Sequence, residues 1–281
     1  MLAHDVQKSP GRYRLNSVFV VDEARDRVVY EAPDFRDVPE LCEELVDSIA
    51  ESDDDGPSLV RAAMAHLNLV MIHPFRDGNG RMARCLQTLI LARDSILAPE
   101  FSSVEEFLGR NTADYYTVLG IVGQGSWNPH NDATPWVKFA LRAHHMQAQT
   151  VVGRLAEANL MWMMLDELAE GSSLPQRAVP ALYDAASGLR IRRSSYVRLA
   201  DVEERTATRD LQQLVDVGLL QAQGERRGRT YSASERLRKV RLDARTQRPR
   251  IRDPYGGIGN VLRSGTSPGS QAALPLDLPT T

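Results

Sequence analysis

The sequence predicts a mainly α protein in two modules: a larger helical domain with one β-hairpin, then a small winged-helix domain. Three observations predict it. Apolar residues recur at the 3.6-residue helical period through most of residues 38–168. Only two early runs, Asn16 to Val21 and Arg27 to Ala32, are β-rich and closely spaced. Charge is uneven: Arg190 to Arg250 holds 16 Arg and Lys against 8 Asp and Glu, in a chain of formal net charge -3.

The elements follow in order. The runs NSVFVV and RVVYEA are joined by the polar stretch Asp22 to Asp26, the pattern of a hairpin. From Pro39 to Ala50, Leu41, Leu45, Val46 and Ile49 keep helical spacing until Glu51 to Pro57 breaks it. Ser58 then stands as N-cap of a helix carrying Leu59, Val60, Ala63, Met64, Leu67, Val70 and Met71. Pro74 disfavours helical geometry at His73, so that helix ends near Ile72. The next begins around Gly80 and runs through Met82, Cys85, Leu86, Leu89 and Ile90 to about Arg93. Further helices fit Ser103 to Asn111, Ala113 to Gly123 and Pro135 to Leu168, the last in one piece or two. Gly171 to Pro175 reads as a linker. The chain thus divides into an N-terminal remnant (1–9), the main domain (10–170), the winged helix-turn-helix domain (176–240) and a tail (245–281). That tail is too poor in large apolar residues to order itself unless it docks on something.

At 281 residues, 42% hydrophobic and 25% charged, the chain can bury a sizeable core. Its small net charge does not call for nucleic acid or an acidic substrate. Cys42 and Cys85 fall in apolar helical patterns, where a thiol serves as a small hydrophobe, and no disulfide framework or C-x-x-C site is available. The first residues lack the basic start and apolar run of a secretory signal, and no stretch approaches the ~20 apolar residues of a membrane span. The expectation is a cytoplasmic protein with no membrane partner.

Chemistry concentrates in His73 to Arg84, HPFRDGNGRMAR. A helix ending at Ile72, a glycine-rich turn and a helix beginning at once leave the N–H groups of Gly78, Asn79, Gly80 and Arg81 unpaired, which makes an anion site. Arg81 and Arg84, three apart, can fork onto further phosphate oxygens. Asp77 is a hard oxygen ligand suited to Mg²⁺, and His73 can take a proton from an attacking hydroxyl. Singly, each has a bland explanation: a capping histidine, a tight Asp-Gly turn, a solvated pair of arginines. Together within twelve residues they form one working unit.

Those residues meet every fixed position of H-x-F-x-[DE]-G-N-G-R-x-x-R, and the chain here closely resembles the Fic family, over much of Ser9 to His145. Pro10, Gly11 and Arg14 look like the PGxxR opening of its domain, the Asn16 to Ala32 hairpin like its flap, and Asn111, Tyr115 and Tyr116 like its N-x-x-x-Y-Y segment at the nucleotide pocket. The resemblance implies a Fic-type helical fold and a transferase that uses ATP with Mg²⁺ to attach AMP to a Ser, Thr or Tyr hydroxyl of a target protein or of itself. It implies His73 as general base, Phe75 as anchor of the loop, and Asp77 as metal ligand. It gives Asn79, Gly80 and Arg81 the α- and β-phosphates and Arg84 the γ-phosphate. The unaltered GNGR turn lacks the changes of relatives that transfer phosphate. Read from the residues alone, Tyr115 and Tyr116 fit core aromatics as well as a pocket, and the hairpin fits a structural edge. Many family members carry an inhibitory S/T-x-x-x-E-G/N helix whose glutamate pairs with the second motif arginine. No convincing copy is found, and the chain starts only nine residues before Pro10, so Arg84 is expected to be free for ATP.

Leu182 to Ser232 contains two helices and then two short β-like runs around Gly224 to Gly228, similar to the winged module at the C-terminus of many larger Fic proteins. Thr206 or Thr208 would cap its recognition helix, Gly218 would end it, and Arg226, Arg227 and Arg229 would sit in the wing, with Arg192, Arg193, Arg205 and Arg209 adding charge. A protein substrate is the expected partner, with a second copy of the chain and duplex DNA left open. The alternative function is a DNA-binding regulator whose Fic domain is vestigial or removes AMP.

Overall fold

The computed structural model describes residues 9–22, 27–51, 56–94, 104–225 and 228–262. It is mainly helical, and its contacts divide it into two compact units, residues 1–149 with 251–281, and residues 150–250. The division falls inside a helix, ahead of the linker expected at Gly171 to Pro175.

The first unit opens on an antiparallel hairpin, β1 (Phe19–Asp22) with β2 (Arg27–Glu31), in which Val20 faces Tyr30 and an irregularity follows between Val20 and Val21. The joining residues 23–26 lie outside the described residues. Helices α1 (Val38–Glu51), α2 (Ser58–Ile72) and α3 (Asn79–Arg93) come next, then α4 (Glu105–Arg110), α5 (Thr112–Gly123) and α6 (Thr134–Gly171).

Helix α2 is central because it is apolar on two faces. Ala62, Ala65, Leu69 and Ile72 pack with Val38, Cys42 and Leu45 of α1 and with Ala83, Ile90 and Leu91 of α3, where small alanines let the backbones approach. Ala63, Leu67 and Met71 face a second cluster with Tyr30, Phe107, Tyr115, Val118, Trp136 and Phe139. Trp136, 1% exposed, donates its indole N–H to the Ala63 carbonyl at 2.7 Å, which satisfies a donor-only group inside the core.

Several expectations are corrected here. Pro57, extended at ψ 130°, precedes the first helical residue, so Ser58 lies inside the helix and caps nothing. Helix α3 turns Ala83, Gln87, Ile90 and Leu91 inward and leaves Met82, Cys85 and Leu89 exposed, because a buried Gln87 hydrogen bond selects the face. Part of the tail is ordered by docking, the case its composition left open. Ile258–Val261 forms α7 in chain order of the first unit, and Val261, fully buried, joins Tyr255, Ile258 and Leu262 on the Trp136 cluster. Arg142 pairs with Asp253 at 2.9 Å, while Gln149 exchanges two 2.9 Å bonds with the Arg252 backbone. Residues 263–281 lie outside the described residues.

The second unit begins in the later part of α6, whose Met161, Leu165 and Ala169 belong to its core. Beyond a short turn at Gln176–Ala178 come helix Val179–Ala186, strand β3 (Ile191–Arg192), helix Arg193–Ala200, helix Glu204–Asp216, strands β4 (Leu220–Gln223) and β5 (Thr230–Ala233), and helix Glu235–Thr246. The sheet order is β3-β5-β4. Asp210, 1% exposed, accepts two bonds from Arg177 at 2.7 and 3.1 Å and one from the Tyr196 hydroxyl at 3.0 Å, so its buried charge is fully used. Neither threonine caps helix Glu204–Asp216: Glu203 takes that place, and the Thr208 hydroxyl bonds back to the Glu204 carbonyl. Gly218, at φ 74°, ends it as expected, its N–H on Val215 and that of Leu219 on Leu214. Arg226 and Arg227 lie outside the described residues.

A buried polar chain crosses the first unit. The Tyr115 hydroxyl stands 3.2 Å from His66 Nε2, His66 Nδ1 lies 2.6 Å from Gln87 Oε1, and Gln87 Nε2 lies 2.7 Å from His144 Nε2. His66 donates through Nδ1 to the Gln87 oxygen, and His144 must keep Nε2 unprotonated to accept from the Gln87 amide. Burial, the largest cause, holds both histidines down at about 4. Each ring is therefore neutral in the folded chain while the unfolded chain takes up protons below its ordinary range near 6.5. Stability should be full above that range, fall as the pH drops through it towards 4, and flatten below 4. Urea unfolding between pH 7.5 and 4 should show this loss, and replacing His144 with Gln should shallow it.

No helix among the described residues is long and apolar enough to cross a membrane.

Candidate active site

The end of α2 accounts for each of its carbonyls. Leu69 accepts the His73 N–H at 3.1 Å, Val70 accepts His73 Nδ1 at 3.2 Å, and Met71 accepts the Tyr30 hydroxyl at 2.8 Å. The guanidinium of Arg14 reaches the carbonyls of Ile72 at 3.4 Å and His73 at 2.9 Å, and its backbone N–H takes that of Pro74 at 2.9 Å. His73 itself is left-handed, φ 51° and ψ 55°, a conformation that lets the chain leave the helix and turn back.

Because Nδ1 addresses a carbonyl, it carries the proton, and the lone pair rests on Nε2. Burial is the largest cause holding the imidazole below its ordinary range, the Val70 bond opposes it, and the charge on Arg14 adds to it. The ring is thus neutral near pH 7, as a proton acceptor must be.

The turn is braced from within. Asn79, 2% exposed, accepts the Phe75 N–H at 2.9 Å and donates to the Phe75 carbonyl at 2.8 Å. Its amide is therefore spent on the loop, and its backbone N–H remains for an anion. Phe75 is held more by this backbone clamp than by its half-buried ring, which lies 5.9 Å from that of Tyr13. Gly78, at φ 86°, supplies the left-handed residue before α3. The first bond onto its carbonyl comes from Met82 at 2.9 Å, so the N–H groups of Asn79, Gly80 and Arg81 precede the helical ladder at the positive end of its dipole. Asp77 lies 3.5 Å from Arg81 across the turn.

Arg84 is not free. Its Nε lies 3.3 Å from Glu105 Oε1. The pair went unread because Glu105 follows the motif by some twenty residues and matches no inhibitory pattern. Glu105 is 59% exposed, so the contact is worth less than about 1 kcal/mol and should yield to a triphosphate, which offers more charge to the same guanidinium. Glu105→Ala is expected to change the ATP affinity by less than about threefold, read by calorimetry. A gain of two orders of magnitude would make this contact a true restraint.

The outlying residues separate. Tyr115 is buried with its hydroxyl on His66, and burial raises its pKa above the usual phenol range. It is a core tyrosine, which corrects its placement in a nucleotide pocket. Asn111 gives its amide to the Phe107 carbonyl at 2.8 Å, and Tyr116 is exposed. A cavity of about 470 Å³ against α1 and α2 is lined by Tyr30, Leu45, Met64, Asn68 and Trp127 and by no residue of 73–84. Its shape has no bearing on the motif. Sequence reading missed Tyr30, His66, Gln87 and His144. The signal available was polar residues recurring on otherwise apolar helical faces.

His73 with its Nε2 lone pair, the first-turn N–H groups of α3 and the side chains of Arg81 and Arg84 lie together at the junction of two packed helices. Residues 1–91 match the model of the Fic/DOC family. It is 32% identical over 146 residues to protein adenylyltransferase fic-1 of Caenorhabditis elegans, covering 52% of this chain and 25% of that protein. It is 34% identical over 146 residues to protein adenylyltransferase Fic of Nematostella vectensis, covering 50% and 29%. The chain thus spans about a quarter of the length of these curated relatives. Among solved structures, a Fic family protein from Desulfovibrio desulfuricans G20 aligns at TM-score 0.47 and 25% identity, over 80% of this chain and 63% of that one.

Proposed function

We propose that this chain is a protein adenylyltransferase, transferring AMP from ATP to a hydroxyl of a target protein or of itself. The observation that carries the reading is the pairing of a neutral His73, lone pair on Nε2, with the unpaired first-turn N–H groups of α3. The names of the relatives at about a third identity support it.

In this reading the N–H groups of Asn79, Gly80 and Arg81 and the guanidinium of Arg81 hold the α- and β-phosphates, and Arg84 turns from Glu105 to the γ-phosphate. The target hydroxyl oxygen attacks the α-phosphorus, its proton passes to His73 Nε2, and the bond to the β-phosphate oxygen breaks so that pyrophosphate leaves. Among the described residues no group of three His, Cys, Asp or Glu stands ready to enclose an ion. A single carboxylate beside a phosphate nest fits Mg²⁺, which takes one such ligand, waters and substrate phosphates, and Asp77 is that carboxylate. When bound, Mg²⁺ offsets the charge of the leaving pyrophosphate.

Incubated with ATP and Mg²⁺, the chain should gain the mass of one or more AMP groups, or pass them to an added protein, read by intact-mass spectrometry. A chain that adds phosphate instead would overturn the reading.

For the second unit we propose selection or presentation of target proteins. The outer face of helix Glu204–Asp216 offers Arg205, Thr208, Arg209 and Gln212 but ends in exposed Glu204 and Asp216, which cancel its charge. Binding of the full chain to duplex DNA should accordingly be weak and fall steeply with salt. Tight, sequence-selective binding at physiological salt in an anisotropy titration would favour a DNA-binding regulator instead.

A further inference from the structure

We propose that Arg14 is the positioning residue for His73, clamping the three consecutive carbonyls of residues 72–74 so that the histidine keeps its left-handed backbone and a ring whose Nδ1 points home to Val70. The inference rests on the reading of His73 as the base, and it assigns the work of aiming that base to a residue almost sixty positions earlier in the chain.

Three observations support it. A left-handed conformation is uncommon at a residue other than glycine and is favoured where the surrounding bonds hold the peptide units on either side of it. Here the enforcing groups are countable. Arg14 Nε and Nη2 bond the His73 and Ile72 carbonyls, and its N–H bonds that of Pro74, so the peptide units on both sides of His73 are tied to one residue.

The other bonds of Arg14 tie it in turn to the hairpin segment. Nη1 reaches the Asn16 carbonyl at 3.0 Å and Nη2 that of Pro33, which anchors the clamp on both sides of the β1 and β2 strands. The side chain is 5% exposed, and all five bonds go to backbone carbonyls. Among the described residues no carboxylate forms an ion pair with this guanidinium; the charge of Asp34 favours it from further away, and the negative end of the α2 dipole, where His73 sits, adds to that.

The planar fork explains the choice of residue. A lysine could keep the charge and reach one or two of these carbonyls, whereas the four side-chain bonds need several N–H vectors in fixed directions. Burial draws the Arg14 pKa down and the same positive charge opposes protonation of the ring beside it, both consistent with a clamp placed close behind the base.

The test uses the full chain with Arg14→Met and Arg14→Lys. In the parent, nitrogen NMR of labelled histidine should show His73 protonated at Nδ1. In Arg14→Met the ring should shift to the Nε2-protonated form or a mixture, and turnover should fall by roughly 10- to 100-fold, the scale of a misplaced reacting group, with ATP affinity kept within about threefold. Arg14→Lys should recover part of both signals. The NMR arm needs no catalysis, so a chain that never transfers AMP still leaves the positional claim open to test. An unchanged tautomer in a folded Arg14→Met chain would overturn the proposal, as would ATP affinity falling in step with turnover. Failure of both variants to fold would assign Arg14 to the stability of the domain and overturn it equally.

Discussion

His73→Ala should lower transfer by about a thousandfold or more while ATP binding stays within a few-fold of the parent, because the base acts on the incoming hydroxyl and not on the bound nucleotide. The structure adds a control. His73 is left-handed, so alanine there carries a backbone cost that asparagine largely avoids. His73→Asn should therefore be as inactive as His73→Ala and at least as stable. If the two variants lost nucleotide affinity as well as turnover, the histidine would be a structural cap for α2. Measured side by side, calorimetric ATP affinity and single-turnover labelling distinguish the cases.

The second large effect belongs to the metal. Asp77 offers its oxygens from a half-exposed position beside the first turn of α3, with the Arg81 guanidinium 3.5 Å away. Chelation should stop transfer by the parent altogether, and Asp77→Ala should lose the Mg²⁺-dependent part of ATP binding. Removing the carboxylate also frees Arg81, so the metal-independent affinity for ATP should hold or rise slightly, which a merely unfolded turn would not show. Transfer that survives chelation would take Asp77 out of the site.

Much of this was legible in the sequence, and the reasons are local. Pro74 forbids helix at His73, and two glycines around Asn79 permit the turn that follows, so a break between α2 and α3 is written in six residues. The chemistry of the loop follows from residue types at fixed spacing. What could not be read depends on distance along the chain. Glu105 reaches Arg84 across twenty-one positions, Asn79 spends its amide on Phe75 by a geometry no spacing rule contains, and Tyr115 turns inward because His66 awaits its hydroxyl. The face of α3 was misread for the same reason: Met82, Cys85 and Leu89 keep a helical period, yet Gln87 is the buried residue because His66 and His144 satisfy it from two other helices. The short segment at Tyr255 to Leu262 was passed over because four apolar residues among glycines are too few to signal order alone, although they suffice once a cluster receives them.

The central claim is that the group transferred is AMP and that His73 commits it. Parallel incubations with ATP labelled at the α-phosphate or at the γ-phosphate, with Mg²⁺, the parent chain and His73→Asn, test it most directly. The account predicts protein-bound label from the α-position only, released pyrophosphate in equal amount, and neither with His73→Asn. Label arriving from the γ-position, or α-label undiminished in His73→Asn, would contradict it.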